Sequence, residues 1–421
     1  MAMAVARNIT TDDALNNWFQ GRWADCAQTE KRQAAFRRFS EVGLPHRRVE
    51  GWRWSDFSGA LRNFAPAAND QRYDAIYEPS LFAALKPIEI TFVNGRIELP
   101  KTPLPKGLKL AVNASTTAAY DMVHGLGDNG LISLNAAVSN EALELIVETG
   151  SKIDRPILVR HICSGTVPIF VQTIVRAGVN STAKIIETFE GGGTFYSHSS
   201  ILEIAARCRI DRLVLQDMDE TSVIHNLCAG VLDTKSKFLQ TALSTGSKLG
   251  RQETILHYNG NEIETELRSA ALLSGNRHAD FTSRIVHNAE ACITRQIHKA
   301  AARDKGKAIF QGKFHVSRGA QKTDADMQAN ALLLSETAEA NHKPELEIYA
   351  DDVECAHGST AGALDDDALF YLRQRGLSEA SARGFLIKAF LAETIDTLDD
   401  ISRSVFETHI NDWLTATIDG E

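Results

Sequence analysis

The sequence predicts a mainly β protein with helical regions at both ends. Three observations carry this. From about Glu89 to Gly362 the chain holds many short runs rich in Val, Ile, Leu and Thr, most of them bounded by Gly, Asn, Asp or Ser. These runs follow one another at a short, steady spacing of about ten residues, with no helical pattern long enough for a crossover between them. Outside this stretch the apolar period is helical instead. A doubly wound α/β fold is therefore disfavoured. A solenoid accounts for so many runs most simply, because each coil stacks on its neighbour and the core lengthens with the chain. No side-chain motif repeats as sharply as a hexapeptide repeat, so periodicity alone also fits a sandwich or a barrel.

The elements follow in order. Residues from Thr10 to about Gln71 read as mostly helical. Thr11-Asp-Asp-Ala gives a capped start, Leu15, Trp18 and Phe19 fall on one face, and Phe36 and Phe39 continue that spacing on a basic stretch. Gly43-Leu-Pro45 ends it. Glu50-Gly-Trp-Arg-Trp-Ser-Asp-Phe57 packs two tryptophans and a phenylalanine into eight residues, a composition that reads as a packing plug under a turn rather than an aromatic binding site. A connecting stretch ends in a short helix, Pro79 to Leu85. Ile88 to Leu99 reads as two strands joined at Asn94-Gly95. A Pro-rich loop follows, Lys101 to Gly107, then a helical or loop-like segment, Ala118 to Gly130. From Leu143 to Val316 the strand runs are nearly continuous. Thr323 to Leu334 reads as a helix start followed by a buried run. The last extended run spans Leu346 to Gly358. From Ala363 three helices are expected. One has acids in its first turn, arginines in its last and a stop at Gly376. A second is capped by Ser378, and a third runs from about Leu398 to Trp413.

The totals narrow the function. The 421 residues can bury a substantial core divided into two or three units. A net charge of -9 argues against a nucleic-acid binder that works by neutralising phosphates. No apolar run has membrane-spanning length, and the N-terminus lacks a secretory core, so no membrane partner is expected. Six cysteines without a CxxC pair suit a reducing cytoplasm and give no support to a zinc ribbon. Gly125 to Gly130 matches GxGxxG, but no clear strand precedes it and Leu131-Ile-Ser-Leu134 reads as extended, the reverse of a dinucleotide site. Near Gly306 and Gly312-Lys313 the P-loop spacing is wrong, and Phe314 stands where Ser or Thr would hold magnesium. No GxSxG elbow and no HExxH occur.

One pair stands out. In an extended strand, side chains alternate faces. Val353, Cys355 and His357 would point one way, and Glu354 and Ala356 the other. A thiolate and a neutral imidazole two residues apart can reach a single atom, and both are good ligands for iron. Two donors cannot complete a tetrahedral site, so the remainder must come from a partner chain or incoming sulfide.

Several segments resemble the SufB/SufD family of iron–sulfur cluster assembly proteins. They are Leu273 to His287 (LSGNRHADFTSRIVH), Gly306 to Val316 (GKAIFQGKFHV), Thr323 to Leu334 (TDADMQANALLL), Pro344 to Thr360 (PELEIYADDVECAHGST) and Phe370 to Gly376 (FYLRQRG). Glu50 to Asp56 (EGWRWSD) is similar to the family's N-terminal Trp signature; with the Cys-Ala-His ending it favours the SufD branch. The resemblance implies a right-handed parallel β-helix over 88–362, flanked by helical regions at 1–87 and 363–421. It implies a non-catalytic cytoplasmic scaffold that pairs with SufB through the last β-helix strands and docks the ATPase SufC on the C-terminal helices. Cys355 and His357 fall on the family's functional Cys and His near the pairing edge, where a transient iron or iron–sulfur cluster would be shared with the partner. When isolated, the chain would pair with itself. A polysaccharide-active β-helix enzyme is the rival reading; it calls for an exposed set of carboxylates, and no convincing set stands out.

Overall fold

The computed structural model describes residues 14–24, 29–64, 78–123 and 129–416. The expected helix start at Thr11 and most of the Gly125–Gly130 segment lie outside them, as does Cys26.

The helices α1 (Ala14–Ala24), α2 (Glu30–Val42) and the single turn α3 (Phe57–Ala60) come first. Gly43 ends α2 with φ of 69°, a left-handed conformation that glycine adopts without a Cβ clash. The expected hairpin follows as β1 (Ile88–Val93) and β2 (Arg96–Glu98), turning at Asn94 and Gly95. Next come β3 (Leu108–Ala114), α4 (Ala118–Val123) and α5 (Gly130–Val138).

Sixteen further strands then wind as a parallel solenoid of about eight coils. One sheet takes β5 (Ile157–Cys163), β7 (Thr182–Gly191), β9 (Arg209–Met218), β11 (Lys237–Ser244), β13 (Glu264–Leu273), β15 (Ile293–Ala302), β17 (Asp324–Leu333) and β19 (Glu354–Gly362). The other takes β4 (Glu141–Val147), β6 (Ile169–Ala177), β8 (Phe195–Ile204), β10 (Val223–Leu232), β12 (Leu249–Tyr258), β14 (His278–His287), β16 (Lys307–Val316) and β18 (Glu339–Ile348). At one end β2 and β3 add antiparallel to the two sheets. At the other end the sheets stop at β19 and β18, with no further strand among the described residues.

Register stacks like positions above one another. One inward-facing column runs Ile157, Ile185, Arg212, Gln240, Leu267, Gln296, Met327, His357. The interior thus begins aliphatic, turns polar at mid-length and reaches the open rim with an imidazole. Both outer faces are covered. Leu15, Phe19, Phe36, Phe39, Trp52 and α5 pack on the sheet containing β8 and β10. Three C-terminal helices, α6 (Asp366–Gln374), α7 (Glu379–Ala392) and α8 (Asp400–Thr415), follow the solenoid. Ile387, Leu391, Phe406 and Ile410 of α7 and α8 pack on Leu213, Leu243, Leu272 and Ala301 of the other sheet.

Three expectations are corrected. Leu131 to Leu134 lies in α5, not a strand; every residue of α5 is buried, so it has no polar face to betray a helical period. Thr323 to Leu334 is the strand β17. Its inward residues Ala325, Met327, Ala329 and Ala331 are buried and alternate with polar neighbours, but their strong helix propensity masks the period of two. Leu346 to Gly358 is two strands, β18 and β19, divided by a corner at 349–353 where the chain changes sheet.

Candidate functional site

The site lies on the last strand. β19 pairs along β17 and brings Cys355 beside Ala325 and His357 beside Met327. Ala325 and Met327 are buried inward-facing residues, so Cys355 and His357 share the inward face of the edge strand. Glu354 and Ala356 stand beside the outward residues Asp324 and Asp326. Val353, expected on the same face, lies in the corner before the strand begins.

Cys355 is half-buried and packs with Val353 against Val316, Ala320 and Ala350. His357 is exposed. Burial pushes the Cys355 thiol above its ordinary pKa; the nearby Asp324 carboxylate adds to the shift and the Ala325 backbone N–H opposes it. Among the described residues no three His, Cys, Asp or Glu side chains cluster to hold a metal ion. The rim therefore offers two donors, one thiol and one imidazole.

The sequence reading missed what lies inside. The solenoid buries a polar file at mid-length: Arg212 forms an ion pair with Glu187, with both side chains essentially inaccessible, and donates from Nη1 to Gln240 Oε1 at 2.5 Å. Local spacing cannot reveal such a set, since its members come from separate coils.

The Trp segment is the expected plug. Trp52 and Phe57 are buried, and the Arg251 guanidinium lies 3.8 Å from the Trp52 ring centre. Arg251 donates to Gly51 O at 2.7 Å and is neutralised by Asp280 at 3.0 Å and Glu253 at 3.1 Å. His278 and Asp280 also meet this segment: Ser55 donates to Asp280, and His278 Nε2 lies 3.0 Å from Trp54 O. A cleft of about 360 Å³ opens alongside, lined by Glu50, Trp52, Arg251, Lys313 and Lys343. Lys343 is held there by Glu50 at 2.7 Å and Glu345 at 3.2 Å.

Fold and site together define the class: a parallel β-solenoid that presents a thiol and an imidazole on its edge strand. Comparison with known proteins narrows the class. The family model described as SUF system FeS cluster assembly, SufBD core domain, matches residues 161–390. The chain belongs to the SufB/SufD family. It is similar to the iron–sulfur cluster assembly protein SufD of Escherichia coli (strain K12), at 28% identity over 93% of this chain and 94% of that one. It is also similar to a SufBD family protein of Synechocystis, at 28% identity over 89% of this chain and 88% of the relative. A SufD of Bacillus subtilis matches at 23% identity over 64% of this chain and 63% of its own. A role in iron–sulfur cluster assembly follows from the family.

Proposed function

We propose that this chain is a non-catalytic scaffold subunit of the SUF system, and that Cys355 and His357 hold a nascent iron or iron–sulfur cluster as cargo. The observation that carries this is their placement on one inward face of the edge strand, which has no further strand beside it among the described residues. The second chain, SufB, pairs along β18 and β19 and supplies the missing donors; an isolated chain pairs with itself along the same edge. The ATPase SufC docks on the C-terminal helices, where Phe370, Tyr371 and Phe385 are exposed, and ATP hydrolysis belongs to SufC. The units are 1–87, 88–362 and 363–421, and the complex works in the cytoplasm. No helix among the described residues is long and apolar enough to cross a membrane.

The test is cluster formation by the co-expressed complex carrying Cys355→Ala or His357→Ala. Cluster yield, read from visible absorbance and iron content, falls severalfold if the reading is right. Unchanged yield in both variants removes the site.

A further inference from the structure

Below the rim the solenoid interior holds a second set of metal-type donors. His298, on β15, is fully buried, and its Nδ1 lies 2.8 Å from Ser269 Oγ. When that contact uses Nδ1–H, Nε2 carries the lone pair, and this buried Nε2 has no hydrogen-bond partner. A bare polar atom in the interior forfeits its hydration with nothing in return, and so calls for a ligand. His342, on β18, enters from the opposite sheet with its ring centre 6.3 Å from that of His298, and its Nε2 is likewise buried and unpartnered. Ala329, stacked directly over His298, leaves room for the second ring. Two imidazoles at this separation can be bridged by one ion with metal–nitrogen bonds of about 2.0–2.1 Å.

A thioether packs beside the phenyl ring that stacks on His298. Phe310 stacks on His298 with ring centres 5.1 Å apart. Gly312, two residues on, is where Met327 reaches across from β17: a Cβ there would lie 2.8 Å from Met327 Cε and 3.0 Å from Phe310 Cζ. Imidazole with thioether is a soft donor set, suited to copper. Burial depresses the His298 pKa to about 3, with His342 adding to the shift, and burial depresses His342 as well, so both rings are neutral ligands. These three donors are all neutral, which disfavours a divalent ion, because its charge would be buried uncompensated.

We infer that His298, His342 and Met327 form an inner site for a soft monovalent cation of the Cu(I) kind, distinct in its donors from the rim pair although Met327 stacks directly beneath His357. The site does not depend on the role proposed for Cys355 and His357. The experiment is anaerobic Cu(I) titration of the full chain against a chromophoric Cu(I) chelator, in a Cys355→Ser/His357→Ala background that disables the rim. One Cu(I) is expected to remain bound, with nitrogen and sulfur neighbours in X-ray absorption. Adding His342→Ala should weaken it about tenfold or more. Adding Met327→Leu, which keeps the volume, should remove the sulfur neighbour. His342 is only half-buried in the last coil, so its variant keeps the fold, checked by an unchanged thermal midpoint. No Cu(I) bound in the rim-disabled chain, or affinity unaffected by both His342→Ala and Met327→Leu, overturns the inference. Equally tight Zn(II) binding overturns its assignment to a soft monovalent ion.

Discussion

Cys355 stands at the rim as a protonated thiol. Its raised pKa comes chiefly from burial, with the Asp324 carboxylate adding to it. A metal binds the thiolate, so capture must expel a proton. Metal affinity at the rim should therefore rise with pH until the thiol titrates, and Asp324→Asn should shift that rise to lower pH. Titration of the chain with Cd(II) at several pH values, followed by sulfur-to-metal charge-transfer absorbance, checks this; a flat profile contradicts it. The rim pair was legible in the sequence because i and i+2 on a strand share a face whatever surrounds them. The Arg212–Glu187 pair and the donors His298, His342 and Met327 were not. Each such set is assembled from separate coils, and register is written in the stacking of strands rather than in local spacing.

At the scale of the element, the solenoid repeats in its backbone and hardly at all in its side chains. Asn180, Arg207, Lys235, Glu262, Ala291 and Lys322 each turn a coil corner with φ between 54° and 59°. Their N–H groups bond up the stack, Arg207 to Thr234 O at 2.9 Å, Lys235 to Asn261 O at 2.8 Å and Ala291 to Gln321 O at 2.9 Å. Five residue types at six corners leave no motif to find, which is why periodicity showed a large β structure without choosing a solenoid. Ala291 is the least suited occupant of a left-handed corner, lacking a polar side chain that could bond locally. Ala291→Gly should stabilise the chain by about 0.5–1 kcal/mol, read as a higher urea midpoint; a lower midpoint would show that the corner carries no strain.

Across the whole molecule, charged contacts hold the C-terminal helices against the solenoid. Lys184 meets Asp399, Arg268 meets Asp396 at 2.8 Å, and His409 of α8 reaches Asp217 at 3.5 Å. Burial opposes charge on His409, but the Asp217 carboxylate and the Val405 carbonyl lift its pKa above the ordinary value, with Asp412 contributing. Asp217 is opposed by burial and lowered by His409 and Thr245, with Arg277 nearby. The histidine's contribution is full below about pH 6.5 and lost as pH rises through its raised value. The aspartate's is present at neutral pH and lost only in acid. Hydrogen exchange in α8 should thus show less protection at pH 8 than at pH 6 after correction for intrinsic rates, by up to about 1 kcal/mol, and His409→Gln should abolish the difference. The helical ends and the β middle were visible from period alone, whereas which sheet each helical region covers follows from the coils and not from the helices. The two ends of the solenoid differ in one further respect. Among the described residues the sheets end on the antiparallel strands β2 and β3 on one side and on the parallel strands β18 and β19 on the other. Short edges make poor templates for an added strand, so the end with strands of ten and nine residues, rather than the one with three and seven, is where another chain would find the longer ladder to extend.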